Sequence, residues 1–134
     1  MYLTIGTGIG GVIINNKSID DVFNNFEPGH EFIFNDGLDF EDHCSGSAFN
    51  RIYKNEHNIN NWIQYSKDLN KGLLFLSKKY KPDIIVLGGG FAINNFSTIK
   101  KLLIPDLNVK LCQFKDGSGI IGGFEILKSK LNIK

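Results

Sequence analysis

The stretch Pro82-Asp-Ile-Ile-Val-Leu-Gly-Gly-Gly90 limits what this chain can fold into more than any other. An apolar run of strand length, continuous rather than alternating, is the pattern of a fully buried strand in a parallel-type sheet. Immediately before it, Trp62, Tyr65, Leu69, Leu73, Leu76 and Tyr80 step by threes and fours, which predicts an amphipathic helix that Pro82 stops. A helix feeding a buried strand is the unit from which layered α/β domains are built.

The remaining segments are consistent with such a domain. Residues 2–5 and 12–15 are short apolar, β-branched runs on either side of a glycine cluster, and Asn15-Asn16-Lys17 carries a tight-turn signal into a third short strand. Residues 31–35, Glu-Phe-Ile-Phe-Asn, predict another strand. Asp39 can cap a helix over about 39–54, with Asp42 three residues on and Phe40, Cys44, Ala48 and Ile52 at every fourth position. After the buried strand come a helix carrying Phe96, Ile99, Leu102 and Leu103, stopped by Pro105, and a strand over 109–114. A last helix over Ser118–Leu131 puts Ile120, Phe124, Leu127 and Leu131 on one stripe. The expected order is β-β-β-α-α-β-α-β-α, without repeats or a linker.

With 134 residues the chain is one ordinary domain, able to bury roughly two-thirds of its unfolded surface. Its 15 Lys+Arg against 14 Asp+Glu leave a net charge of +1, so no overall field draws nucleic acid or an anionic membrane. Cys44 and Cys112 are too few for a disulfide framework or a metal cluster and read as buried thiols in a reducing cytosol. The start, Met1-Tyr-Leu-Thr-Ile-Gly, has no basic region and is soon broken by glycines, so no signal peptide is expected. No uncharged apolar run approaches the ~20 residues of a membrane helix. A cytoplasmic protein is expected.

Gly6-Thr7-Gly8-Ile9-Gly10-Gly11 looks like a phosphate fingerprint. A dinucleotide loop must feed a helix, however, and this one feeds Val12-Ile13-Ile14, a strand. It also lacks the Lys-Ser/Thr ending of a P-loop. Phosphate here would be held by turn amides and the Thr7 hydroxyl. The plainer reading is a glycine-rich hairpin that needs positive φ.

Four segments, taken in order, resemble the C-terminal half of ROK-family sugar kinases: Tyr2 to Gly11, Glu27-Pro-Gly-His30, Glu41-Asp-His-Cys-Ser-Gly46-Ser-Ala48, and Pro82 to Gly90. The resemblance covers nearly the whole chain. It implies the second lobe of the actin-like, ribonuclease H-like ATPase fold, with residues 1–134 as the C-terminal lobe and the N-terminal lobe absent. It implies that Glu27, His30 and Glu41 contact sugar hydroxyls, a task that suits them: carboxylates accept from vicinal hydroxyls, and imidazole donates or accepts. It also assigns Gly6, Thr7, Gly8 and Gly10 to the nucleotide phosphates and Gly88, Gly89 and Gly90 to close approach of the nucleotide. Glycines at a strand's carboxyl end permit that approach, and they also make a plain strand-to-helix turn.

The departures from the family are informative. Many members follow the tetrad's histidine with cysteines that bind structural zinc, whereas residues 31–40 here contain none, so no zinc is expected. His43 and Cys44 read as packing or exposed residues, and His57 sits in a polar loop. The aspartate that takes the sugar hydroxyl's proton belongs to the N-terminal lobe, and Asp20 and Asp21 match no motif that would replace it. The expectation is therefore half of a hexose or N-acetylhexosamine kinase, without a catalytic residue of its own. It would bind ATP with Mg once a complete site is assembled, take a separate N-terminal lobe as partner, and pair as a homodimer by family analogy. The alternatives are a non-catalytic sugar- or nucleotide-sensing protein, for which no helix-turn-helix or basic face is visible, and an inert remnant.

Overall fold

The computed structural model describes residues 1–16, 18–20 and 25–113. Strands β1 (Tyr2–Ile5) and β2 (Ile9–Val12) form an antiparallel hairpin, with Ile5 opposite Ile9. β3 (Ile14–Asn15) and β4 (Ser18–Ile19) form a second small hairpin. Three helices follow: α1 (Phe40–Cys44), α2 (Gly46–Tyr53) and α3 (Ile59–Tyr80). Then come β5 (Ile85–Gly88), α4 (Gly90–Leu102) and β6 (Val109–Leu111). The main sheet has the order β2-β1-β5-β6, with β5 parallel to both β1 and β6. β5 is thus the central parallel strand that its apolar run demanded.

The α3 stripe is buried as its periodicity predicts: Tyr65, Leu69, Leu73 and Leu76 are fully enclosed and Trp62 nearly so. They pack with Leu3 and Ile5 of β1, Leu87 of β5 and Ile99 of α4 in one core. Tyr65 is buried with its hydroxyl satisfied, donating to the Cys44 carbonyl at 2.9 Å.

Three expectations are corrected. The strand expected over 12–15 is split: Ile9–Val12 takes Gly10 and Gly11 into the ladder with β1, and Ile14–Asn15 belong to the second hairpin. Residues 31–35 form no strand. Side chains fasten this segment to helices instead: Glu31 accepts from Tyr80 at 2.9 Å and pairs with Lys79, while Phe34 stacks on His43 with ring centroids 3.7 Å apart. Phe32 is left 70% exposed, so the strand-like composition does not reflect a buried face. The helix expected over 39–54 is two helices meeting at Ser45, whose backbone is extended (φ −71°, ψ 165°). Ser45 closes α1 by donating its N–H to the Glu41 carbonyl, and opens α2 by accepting from Ala48 N–H at 3.0 Å. The break turns Gly46 toward β1, where its N–H donates to the Gly6 carbonyl at 2.6 Å.

The strand expected over 109–114 ends at Leu111, and the helix over Ser118–Leu131 lies outside the described residues, as does Asp21. Among the described residues no helix is long and apolar enough to cross a membrane.

Candidate functional site

The β1–β2 turn is built without positive φ, contrary to the plainer sequence reading; among the described glycines only Gly37 and Gly89 adopt it. The turn glycines are small because of what stands against them. A side chain on Gly8 would collide with the Glu41 carboxylate, and one on Gly11 with the Tyr2 carbonyl and the Phe26 ring. Gly6 and Gly90 face open space.

That space is a cleft of about 500 Å³. Gly6 and Thr7 of the turn form one side, and Gly90 with Phe91 at the start of α4 another. Gly46, Ser47 and Asn50 of α2 continue the wall to Asn55 beyond that helix. α2 runs for eight residues, or about 12 Å. The two helix starts differ in what they can offer. At α2, Gly46 N–H is spent on Gly6 and Ala48 N–H on Ser45. At α4 no side chain caps the helix, and its first-turn amides have no intrahelical acceptor. Of the two helix starts lining this cleft, α4 is thus the one without a side-chain cap.

Gly89, the residue before α4, has φ 83° and ψ 151°, and an added Cβ would strike the Ile5 backbone. Only glycine makes this turn from β5 into α4. Gly88 is buried under the Tyr2 ring, and Gly10 lies inside β2 against the Thr4 side chain. Neither lines the cleft. Of the seven positions assigned to the nucleotide, Gly6, Thr7 and Gly90 do.

Glu27, His30 and Glu41 gather on the other side of the same turn. Glu41, on α1, accepts the Ile9 N–H through Oε2 at 2.5 Å, which fixes its carboxylate against Gly8 and leaves Oε1 for another donor. Pro28–His30 form a short 3₁₀ turn preceded by Glu27. Gly29 in that turn is buried against the Ile9 carbonyl and Glu41, so the turn can seat there only with glycine. His30 projects with its side chain 63% exposed and its Nδ1 2.9 Å from Asp39 Oδ2. The Asp39 hydrogen bond, with the Glu41 and Glu27 charges nearby, raises the His30 pKa above its ordinary value. For Asp39 burial opposes ionisation, yet the His30 and Asp42 hydrogen bonds prevail and its pKa is lowered.

Sequence reasoning missed Gly46, Ser47, Asn50, Asn55 and Phe91 as lining residues; the Ser45-Gly46-Ser47 motif was the signal for the first two. His57 is less idle than its polar loop suggests. Its Nε2 is 3.0 Å from Asn55 Oδ1, and its ring lies 5.1 Å from that of Phe49 and 5.5 Å from that of Trp62. Cys44 is fully buried, and that burial pushes its thiol pKa well up. Among the described residues no cluster of three or more His, Cys, Asp or Glu could hold a metal ion.

No family model matches this sequence, and no curated protein matches it significantly. Solved structures do. An inorganic polyphosphate/ATP-glucomannokinase from Arthrobacter sp. strain KM is 25% identical with a TM-score of 0.77, over 96% of this chain and 46% of its own. A ROK family protein from Streptococcus pneumoniae TIGR4, solved with sucrose, is 20% identical with a TM-score of 0.81, over 98% of this chain and 58% of its own. A ROK family glucokinase from Streptomyces griseus, solved with glucose and AMPPNP, is 18% identical with a TM-score of 0.74, over 93% and 59%. The chain thus has the fold of part of a ROK-family sugar kinase and spans about half the length of these structures.

Proposed function

We propose that this chain is the sugar- and nucleotide-binding C-terminal half of an ATP-dependent sugar kinase, working with an N-terminal lobe that carries the aspartate base. The observation behind this reading is the position of the β1–β2 turn. Gly6 and Thr7 face a cleft suited to an anion, while Gly8 touches Glu41, which together with Glu27 lies near His30. A phosphate donor on one side and a polyol on the other would meet across a single turn. Phosphoryl transfer depends on that positioning together with charge stabilisation.

In this reading the donor's terminal phosphate lies at the uncapped start of α4 and Thr7, and Asn50 and Asn55 face the rest of the nucleotide along α2. Glu41 Oε1 and Glu27 accept from sugar hydroxyls, and the exposed His30 ring contacts another. One hydroxyl oxygen attacks the terminal phosphorus, the bond to the leaving diphosphate breaks, and the hydroxyl proton passes to the aspartate of the other lobe. Mg enters with ATP, and no zinc is required. A homodimer is proposed on family analogy alone.

Phosphorylation of glucose, N-acetylglucosamine, N-acetylmannosamine and fructose, measured with the chain alone and mixed with a separately expressed N-terminal lobe, tests this. The expected result is no turnover alone and turnover on mixing, with kcat/KM lowered about tenfold or more by Glu41→Gln through a lost charged hydrogen bond. Turnover by the chain alone, abolished by Glu27→Ala, would show that it carries its own base. Turnover on mixing that ignores Glu41→Gln would remove the sugar site from this lobe.

A further inference from the structure

Which ring nitrogen of His30 carries the proton decides whether the other one donates to a sugar hydroxyl or accepts from it. We infer that Asp39 is the positioning residue that sets this, holding the proton on Nδ1 so that Nε2 faces the site as an acceptor. The inference rests on the sugar-site reading of His30 above.

The geometry makes Asp39 a two-ended fixture. Its Oδ1 accepts the Asp42 N–H at 2.9 Å as the N-cap of α1, and its Oδ2 is 2.9 Å from His30 Nδ1. Asp39 is only 17% exposed where His30 is 63% exposed, so the anchored partner orients the free one. Ionised carboxylate oxygens only accept, so the neutral ring must donate from Nδ1, which leaves Nε2 bare. The charged groups acting on His30 are Asp39 beside it, Glu41 on α1 and Glu27 at the start of its own turn. The same helix, α1, therefore supplies Glu41 to the site and, through its cap, fixes His30. Histidine ligands oriented by a carboxylate on the far ring nitrogen follow the same logic.

Asp39→Asn separates the two jobs. Asparagine caps helices as well as aspartate does. With its oxygen still on the Asp42 N–H, its amide nitrogen turns toward His30 and can only donate, which moves the ring proton to Nε2. The experiment is nitrogen-15 NMR of imidazole-labelled chain at a pH where the ring is neutral, with His30→Gln assigning the signals and glucose and N-acetylglucosamine as added ligands. Wild type should show the Nδ1–H tautomer. Asp39→Asn should show Nε2–H with the Asp42 amide still protected, and sugar affinity lowered about tenfold or more. Asp39→Ala should lose amide protection as well. A wild-type ring protonated on Nε2, or one unmoved by Asp39→Asn, overturns the inference. If the tautomer switches as expected but sugar never perturbs His30 Nε2, the sugar-site reading fails and the positioning role toward sugar fails with it.

Discussion

At the residue scale, the His30–Asp39 pair makes the site sensitive to pH in a definite direction. His30 has its folded pKa raised, so its contribution to stability is full below its unfolded value of about 6.5 and is lost as pH rises through the folded value. Asp39 has its pKa lowered, so its share is present above the unfolded carboxylate value and is lost as pH falls through the folded one. The pair therefore stabilises most between those limits, and its exposure keeps the effect small. Urea midpoints of wild type and His30→Gln should differ near pH 6 and converge as pH climbs through the raised His30 value. A gap that widens toward alkaline pH would mean that another group dominates.

At the element scale, α3 carries a glycine where helix propensity would choose alanine. Gly72 is buried in the middle of Ile59–Tyr80, and a Cβ there would fall inside the fully enclosed Phe40 ring. Alanine would gain about 1 kcal/mol of propensity. Overpacking a core site costs about 1–3 kcal/mol, and Phe40 lies at the start of α1 beside the cap residue Asp39, where it cannot retreat cheaply. Gly72→Ala is therefore expected to lower stability, read as a drop in urea midpoint, and Gly72→Ala with Phe40→Leu to recover part of it. A more stable single variant would show that α1 shifts without resistance. The glycine thus lets α1 sit close to α3 and places Glu41 beside the β1–β2 turn.

At the scale of the whole molecule, the 31–39 segment is tied down by protein groups from several directions. Glu31 binds Lys79 and Tyr80, Phe40 N–H donates to the Glu31 carbonyl at 2.9 Å, and His43 Nε2 lies 2.9 Å from Asp36 Oδ2. Phe34 is stacked on His43 with the Lys71 ammonium 4.7 Å from its ring centroid. These contacts are the reason for expecting the segment to hold its shape without a metal. Purified protein dialysed against EDTA is expected to keep its melting temperature and to contain no stoichiometric zinc by elemental analysis. Near-stoichiometric zinc, lost together with stability in the chelator, would refute this.

The sequence by itself determined the elements whose pattern repeats or runs long enough to be unambiguous. The Trp62–Tyr80 stripe and the apolar run ending at Gly88 appear where periodicity and strand length put them, because burying those faces leaves no competing arrangement. The grouping of Glu27, His30 and Glu41 was legible only through motif resemblance, since residues up to fourteen positions apart carry no signal of contact. Tertiary structure decided the rest. It broke the expected 39–54 helix at Ser45, because Gly46 N–H meets the Gly6 carbonyl only if the chain turns there. It denied 31–35 a place in the sheet, because its side chains find helix partners rather than a ladder. It also explained the turn glycines by neighbours' volume rather than by φ, which depends on the distant Glu41 and Phe26 that local sequence does not reveal.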